Sequence, residues 1–152
     1  MSEATKPEFA LQRIYLSDVS FEAPNSPEVF MMNEKPQVDV KLDTSNRKVN
    51  GELYEVTVKI TAQVTFGEKT AFLAEVQQSG AFRVVGIEGD NLDHTLGAFS
   101  PNILFPYARE AVDGLVVKGG FPPLMIAPVN FEAIYAERKQ REAQKAEQPT
   151  QQ

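Results

Sequence analysis

Residues 54–66, YEVTVKITAQVTF, restrict this chain more than any other stretch. Tyr54, Val56, Val58, Ile60, Ala62, Val64 and Phe66 alternate without a break with Glu55, Thr57, Lys59, Thr61, Gln63 and Thr65. A helix would scatter these apolar residues around its axis; a strand gathers them on one face. A second strand is written upstream, where Val38, Val40 and Leu42 alternate with Asp39, Lys41 and Asp43. Asn50-Gly51 between the two is a strong hairpin signal. Gly67-Glu68 marks the next turn, and residues 70–79 form a further strand with Phe72, Ala74, Val76 and Gln78 on one face and Leu73 and Glu75 on the other. Gly80 and Gly86 are expected to interrupt its continuation as bulges or bends. Residues 9–22 alternate imperfectly as a first long strand, with Leu11, Tyr15, Val19 and Phe21 on one face and Ile14, Leu16, Asp18, Ser20 and Glu22 on the other.

A sheet with one apolar face requires a cover, and residues 101–139 supply it. Ser100 is placed to cap a helix whose first residue, Pro101, loses nothing by lacking an N–H there. Leu104, Ala108, Ala111, Val112 and Leu115 recur at helical spacing, Pro106 should kink the helix or restart it at Tyr107, and Gly119-Gly120 should end it. Asn130 can cap a second helix carrying Phe131, Ile134 and Tyr135 on one stripe before it turns wholly polar. Strands followed by helices make the class α+β: a four-stranded antiparallel sheet, read as a meander, with two main C-terminal helices packed on one face. Residues 9–140 form the single domain, residues 1–8 a flexible start and residues 141–152 a polar, disordered tail.

Two apolar loops stand out. FPPLMIAPV at 121–129 holds three prolines, so it can be neither a long helix nor a central strand. Residues 23–36 also hold three prolines, yet place Val29, Phe30, Met31 and Met32 together. Loops this apolar are either tucked on the core or form part of a binding surface. Methionine suits an adaptable one.

The formal net charge of −6 makes nucleic acid and anionic membrane poor partners and favours a basic one. No apolar run approaches the ~20 residues that span a bilayer, the N-terminus has no signal-peptide pattern, and a cytoplasmic protein is the expectation. The chain has no cysteine and thus no thiolate chemistry. Asp90, Asp93 and His94 are the one cluster that could be read as carboxylates with a base, or as metal ligands. No second ligand motif accompanies them, and acidic residues ahead of a short helix commonly serve as caps. Neither a metal, a cofactor nor an enzymatic activity is expected.

QRIYLSDVSFEAPNSP at 12–27, TAFLAEVQQSG at 70–80 and PNILFPYAREAVDGLVVKGGFPPLMIAPVNFE at 101–132 together resemble the SecB family of protein-export chaperones. The resemblance runs from about residue 9 to residue 135, with the motifs in family order. It implies a holdase that keeps preproteins unfolded without nucleotide, works as a homotetramer built as a dimer of dimers, and delivers clients to the ATPase SecA. A related holdase serving another client, such as a toxin–antitoxin system, is the alternative. Asp18, Glu22, Leu73 and Glu75 match the family's SecA-docking site, and Ala74, Val76 and Gln78 lie where changes weaken the dimer–dimer contact. The fourth strand's apolar face and the first helix's stripe also present more apolar surface than one small sheet and two helices should cover. Phe30, Met31, Val40, Leu42, Phe121, Leu124, Ile126 and Tyr135 are the candidates for lining a client groove. Some family members carry a tryptophan at the position that aligns with Glu34, so the groove is expected to be shallower or more polar there.

Overall fold

The computed structural model describes residues 6–147. Four antiparallel strands, β1 (Glu8–Glu22), β2 (Pro36–Asn50), β3 (Leu53–Phe66) and β4 (Lys69–Val85), lie in the order β1-β4-β3-β2. Strands β2 to β4 are the expected meander, turning at Gly51 and Gly67, both at positive φ. Strand β1 does not continue it but pairs with β4, which gives the sheet a Greek-key order. The crossover from β1 to β2 therefore spans the full width of the sheet, with a 3₁₀ turn at Glu28–Met31. Buried Val29 and an Asn25 side-chain amide donating to the Thr70 carbonyl (2.9 Å) tack this crossover down.

Strand β1 explains its own imperfect alternation. Its register against β4 slips between Leu11 and Arg13 and again between Leu16 and Asp18. Each bulge adds one residue and moves the following side chains to the other face. Ile14 and Leu16, opposite Gly80 and Gln78, therefore share the face of Leu11, Val19 and Phe21, and Tyr15 goes to the reverse side beside Ser79. The two-faced assignment made from period two alone is corrected accordingly.

The helical layer begins earlier than Ser100. Helix α1 (Gly89–His94) runs through a π turn (Thr95–Phe99) directly into α2 (Ser100–Lys118). Ser100 is no N-cap: its backbone N–H bonds the Thr95 carbonyl, and its hydroxyl donates to the same oxygen (2.7 Å). The wider turn falls just before Pro101, which has no N–H of its own to give. Helix α2 also passes Pro106 without restarting, because Pro106 and Asn102, whose carbonyl it leaves unmatched, both lie on the exposed side. Gly119 closes α2 where a Cβ would come within 2.4 Å of the Phe21 ring, so glycine there lets β1 and the helix end meet.

Helix α2 lies across β3 and β4. Its Leu104, Ala108, Val112 and Val116 bury against Val56, Val58, Ile60 and Val76. Gly80 is not a bulge: β4 runs through it in register, and a Cβ there would meet the Leu104 side chain at 2.9 Å. Phe72, Ala74, Val76 and Gln78 belong to this core, with Ala74 and Val76 fully buried and Gln78 4% exposed. Within one chain α2 covers them. Helix α3 (Phe131–Glu147) reaches the same side of the sheet by packing on the π turn. Asn130 caps it, its side-chain oxygen accepting from the Ala133 N–H at 3.0 Å. The helix extends through residues 141–147; residues 148–152 lie outside the described residues.

Candidate functional site

Helix α2 is too narrow to cover the whole sheet. It shields β3 and β4 and leaves the helix-side row of β2 uncovered, with Val38 54% and Val40 39% exposed. This row, Pro36, Val38, Val40, Leu42 and Thr44, is the floor of a groove. The alternation that made β2 legible thus also marks its uncovered apolar face: odd-numbered neighbours Asp39, Lys41 and Asp43 point to the reverse side.

At one end the floor meets the proline loop in a cleft of about 320 Å³. Pro36, Val38, Val64 and Phe66 line one side, and Phe121, Pro122, Pro123 and Leu124 the other, with Phe72 beneath. The walls are continuous with the core. Phe121 packs on Phe72 (ring centroids 4.9 Å) and on Phe30 of the crossover (5.1 Å). Phe30 remains half exposed and Met31, at 75%, projects freely. Glu34 sits at the β3–β4 turn, its carboxylate where a Cβ on Gly67 would fall, so it brings a polar group to this rim.

At the other end Leu42 and Thr44 face α3 across a second cleft of about 220 Å³, lined also by Gly97, Ile134, Tyr135, Arg138 and Arg141. From Val38 to Thr44 an extended strand covers about 20 Å, so the clefts are two ends of one groove. Polar contacts with α1 hold α3 here. The Tyr135 hydroxyl donates to Asp93 Oδ2 (2.8 Å), Lys139 Nζ pairs with the same oxygen (2.9 Å), and His94 Nε2 meets the Glu132 carboxylate at 2.7 Å. The Lys139 ammonium foremost, against some burial, lowers the Asp93 pKa; burial and the Asp93 bond raise that of Tyr135. Two members of the candidate catalytic trio, Asp93 and His94, thus fasten two helices together. Among the described residues no group of three or more His, Cys, Asp or Glu is placed to hold a metal ion.

The structure brings together seven of the eight groove candidates, Phe30, Met31, Val40, Leu42, Phe121, Leu124 and Tyr135, along the two clefts, the floor between them and the flap beside them. Ile126 is separate: it lines a different cleft, between the loop and Arg109 and Asp113 of α2. Phe131, from the same helix stripe, is an anchor, buried edge-on against Phe105. The candidate set lacked Val38, Phe66, Arg138 and Arg141. Val38 shares the alternation of Val40 and Leu42 and could have been included; the arginines carry no signal in a polar helix.

The reverse face of the sheet is polar and open. Glu22 lies opposite Leu73 and Ser20 opposite Glu75, and Asp18 is opposite Gln77, so Asp18, Glu22, Leu73 and Glu75 share this face on paired strands. Glu75 also reaches Lys59 (3.5 Å) and the Thr61 hydroxyl (3.4 Å). Farther along, the Tyr15 hydroxyl donates to Glu55; partial burial and this bond push the Tyr15 pKa up to about 12.

An extended apolar polypeptide segment fits the helix-side groove: its floor offers alternate apolar side chains beside an edge strand with a free backbone edge. The profile of the family described as preprotein translocase subunit SecB matches residues 2–142. The "Protein-export protein SecB" of Chromohalobacter salexigens is 58% identical over 142 residues, covering 92% of this chain and 87% of that protein. That of Marinobacter nauticus is 57% identical, covering 91% and 86%. Among solved structures, the Mycobacterium tuberculosis Rv1957 SecB-like chaperone, in complex with a ChAD peptide from the Rv1956 HigA1 antitoxin, shares the fold with a TM-score of 0.66 at 16% identity, covering 80% of this chain and 90% of that one.

Proposed function

The chain belongs to the SecB family, and from that premise we propose that it is a cytoplasmic, nucleotide-independent holdase that keeps preproteins unfolded for export and hands them to SecA. The observation that carries this reading is the uncovered helix-side row of β2, flanked by an aromatic cleft and a helix-walled cleft. A folded protein offers no such segment to it; an unfolded one offers many, at about 25 cal/mol for each Å² of apolar surface covered. The net charge of −6 attracts basic flanking residues over long range. Export is favoured over antitoxin binding because the relatives named for export are 57–58% identical, against 16% for the antitoxin-binding chaperone.

The acidic end of the polar face, Asp18, Glu22 and Glu75 around Leu73, is the SecA dock in this reading. It faces away from the groove, so a client and SecA can be held together. Assembly into a homotetramer draws on surfaces that one chain leaves open: Leu16 and Val19 on edge strand β1, and Tyr107 and Val117 on the outer side of α2. Several grooves on one particle then add weak contacts into avidity.

Calorimetric titration with a reduced, carboxymethylated unfolded protein tests the holdase. A negative heat-capacity change, unaffected by ATP, is expected; a value near zero contradicts the apolar groove. Glu75→Lys should abolish SecA binding and spare the client, whereas loss of neither removes the dock.

A further inference from the structure

Beyond Phe121, which packs on the core, the proline loop, residues 121–129, is held by few hydrogen bonds. It forms no ladder, and three of its residues have no N–H. After the Phe121 N–H, bonded to the Val116 carbonyl, the fastenings among the described residues come from two α2 side chains one turn apart. Asp113 Oδ1 accepts from the consecutive N–H groups of Leu124 (3.0 Å) and Met125 (3.4 Å). Arg109 Nη1 donates to the Ile126 carbonyl (3.5 Å). Between these two fastenings Met125 is the one non-glycine residue at positive φ among the described residues, +52°. A residue with a Cβ does not hold that conformation unaided. Its side chain is 77% exposed and makes no core contact that would impose it.

From this arrangement we infer that Asp113 is a positioning residue for client selection: it fixes the left-handed turn at Met125 and so sets where Leu124 closes the aromatic cleft. The inference rests on the groove reading above. Asp113 stands outside that cleft, and its hydrogen bonds to the loop are to backbone N–H groups. Without it the loop relaxes at Met125, Leu124 moves, and the pocket loses the wall that lets it hold a large side chain in preference to a small one.

The test combines a binding readout with one that needs no client. Wild-type protein, Asp113→Asn, Asp113→Ala and Asp113→Ala/Met125→Gly are titrated with two extended basic peptides that differ only by Phe or Ala at the central position. Asparagine keeps the accepting oxygen, so Asp113→Asn should bind both peptides within about twofold of wild type, since neutral acceptors still satisfy amide donors. Asp113→Ala should lose about tenfold on the Phe peptide and little on the Ala peptide. Glycine at 125 takes the left-handed turn without help, so the double variant should recover most of the Phe preference. Amide exchange at Leu124 and Met125 should rise about tenfold or more in Asp113→Ala and stay near wild type in Asp113→Asn. If Asp113→Ala is too unstable to measure, Asp113→Asn and Met125→Gly in the wild-type background decide, and a lost Phe preference in Asp113→Asn overturns the inference. An unchanged Phe preference together with unchanged exchange in Asp113→Ala overturns it as well. Wild-type protein that binds neither peptide refutes the groove reading, and the exchange rates then still decide whether Asp113 pins the loop.

Discussion

The two ends of the groove are built by different physics. At the proline-loop end the walls are the hydrophobic core come to the surface: Phe121, 8% exposed, packs at a tilt on fully buried Phe72, and no titratable side chain lines the cleft. At the α3 end one buried residue, Phe131, anchors a helix that is otherwise fastened by Asp93, Tyr135, Lys139, His94 and Glu132. The aromatic side of the first cleft, Phe121 on Phe72, cannot change shape without disturbing the fold, and only its Leu124 rim depends on the Asp113 fastening. The second cleft can, because exposed ion pairs and single hydrogen bonds are individually weak. A protein that must accept many sequences gains from having one fixed site and one adjustable site on the same floor.

Removing the shared aromatic should show the coupling most strongly. Phe121→Ala takes a core ring away and should cost about 3 kcal/mol of stability, within the usual range for buried Phe, while also abolishing client binding. Tyr135→Ala sharpens the contrast: at most about 1 kcal/mol of stability is expected, with client retention clearly weakened. Denaturant unfolding beside client titration separates the two, and equal stability losses would erase the distinction between the ends.

Gly97 gives a finer probe. A Cβ at this buried glycine would lie 3.1 Å from the Tyr135 ring and 2.7 Å from an Arg138 guanidinium nitrogen. The arginine can swing aside, but the ring must give way, narrowing the second cleft alone. Gly97→Ala should therefore leave Tm within about 3 °C of wild type, the helical gain offsetting the crowding, and weaken client binding a few fold. The smallest effect is on acidification. The Asp93 pKa is depressed in the folded protein, so its contribution to α3 docking is complete above the ordinary carboxylate range. It is lost as pH falls through the lowered folded value. Amide exchange in α3 should rise in that window before exchange in α2 does; simultaneous release would mean that the core, not the clamp, holds α3.

How far the sequence was readable follows from the same contrast. Strand β3 was legible because one buried face imposes an unbroken period of two. Strand β1 was legible as a strand but not in its facing, because bulges at an edge leave no composition signal and each reverses the side chains that follow. Helix α1 was hidden by its polar sequence GDNLDH and its short length. The burial of Ala74, Val76 and Gln78 was legible, but not what covers them, since an apolar face reads the same whether a helix or a second chain lies on it. The loop residues Phe121 and Leu124 were found because proline-rich apolar segments have few other uses. That Ile126 faces a different cleft was not legible, because a loop has no periodicity from which to read direction.

The central claim is that clients lie on the helix-side row of β2, and period two makes that claim directly measurable. A photo-activated cross-linking side chain placed in turn at residues 38 to 43 and exposed to an unfolded client should give strong adducts at 38, 40 and 42. Adducts should be weak at 39, 41 and 43, which point to the polar face. Uniform labelling along the strand, or labelling strongest at 39, 41 and 43, would place the client on the strand edge or the opposite face and contradict the account.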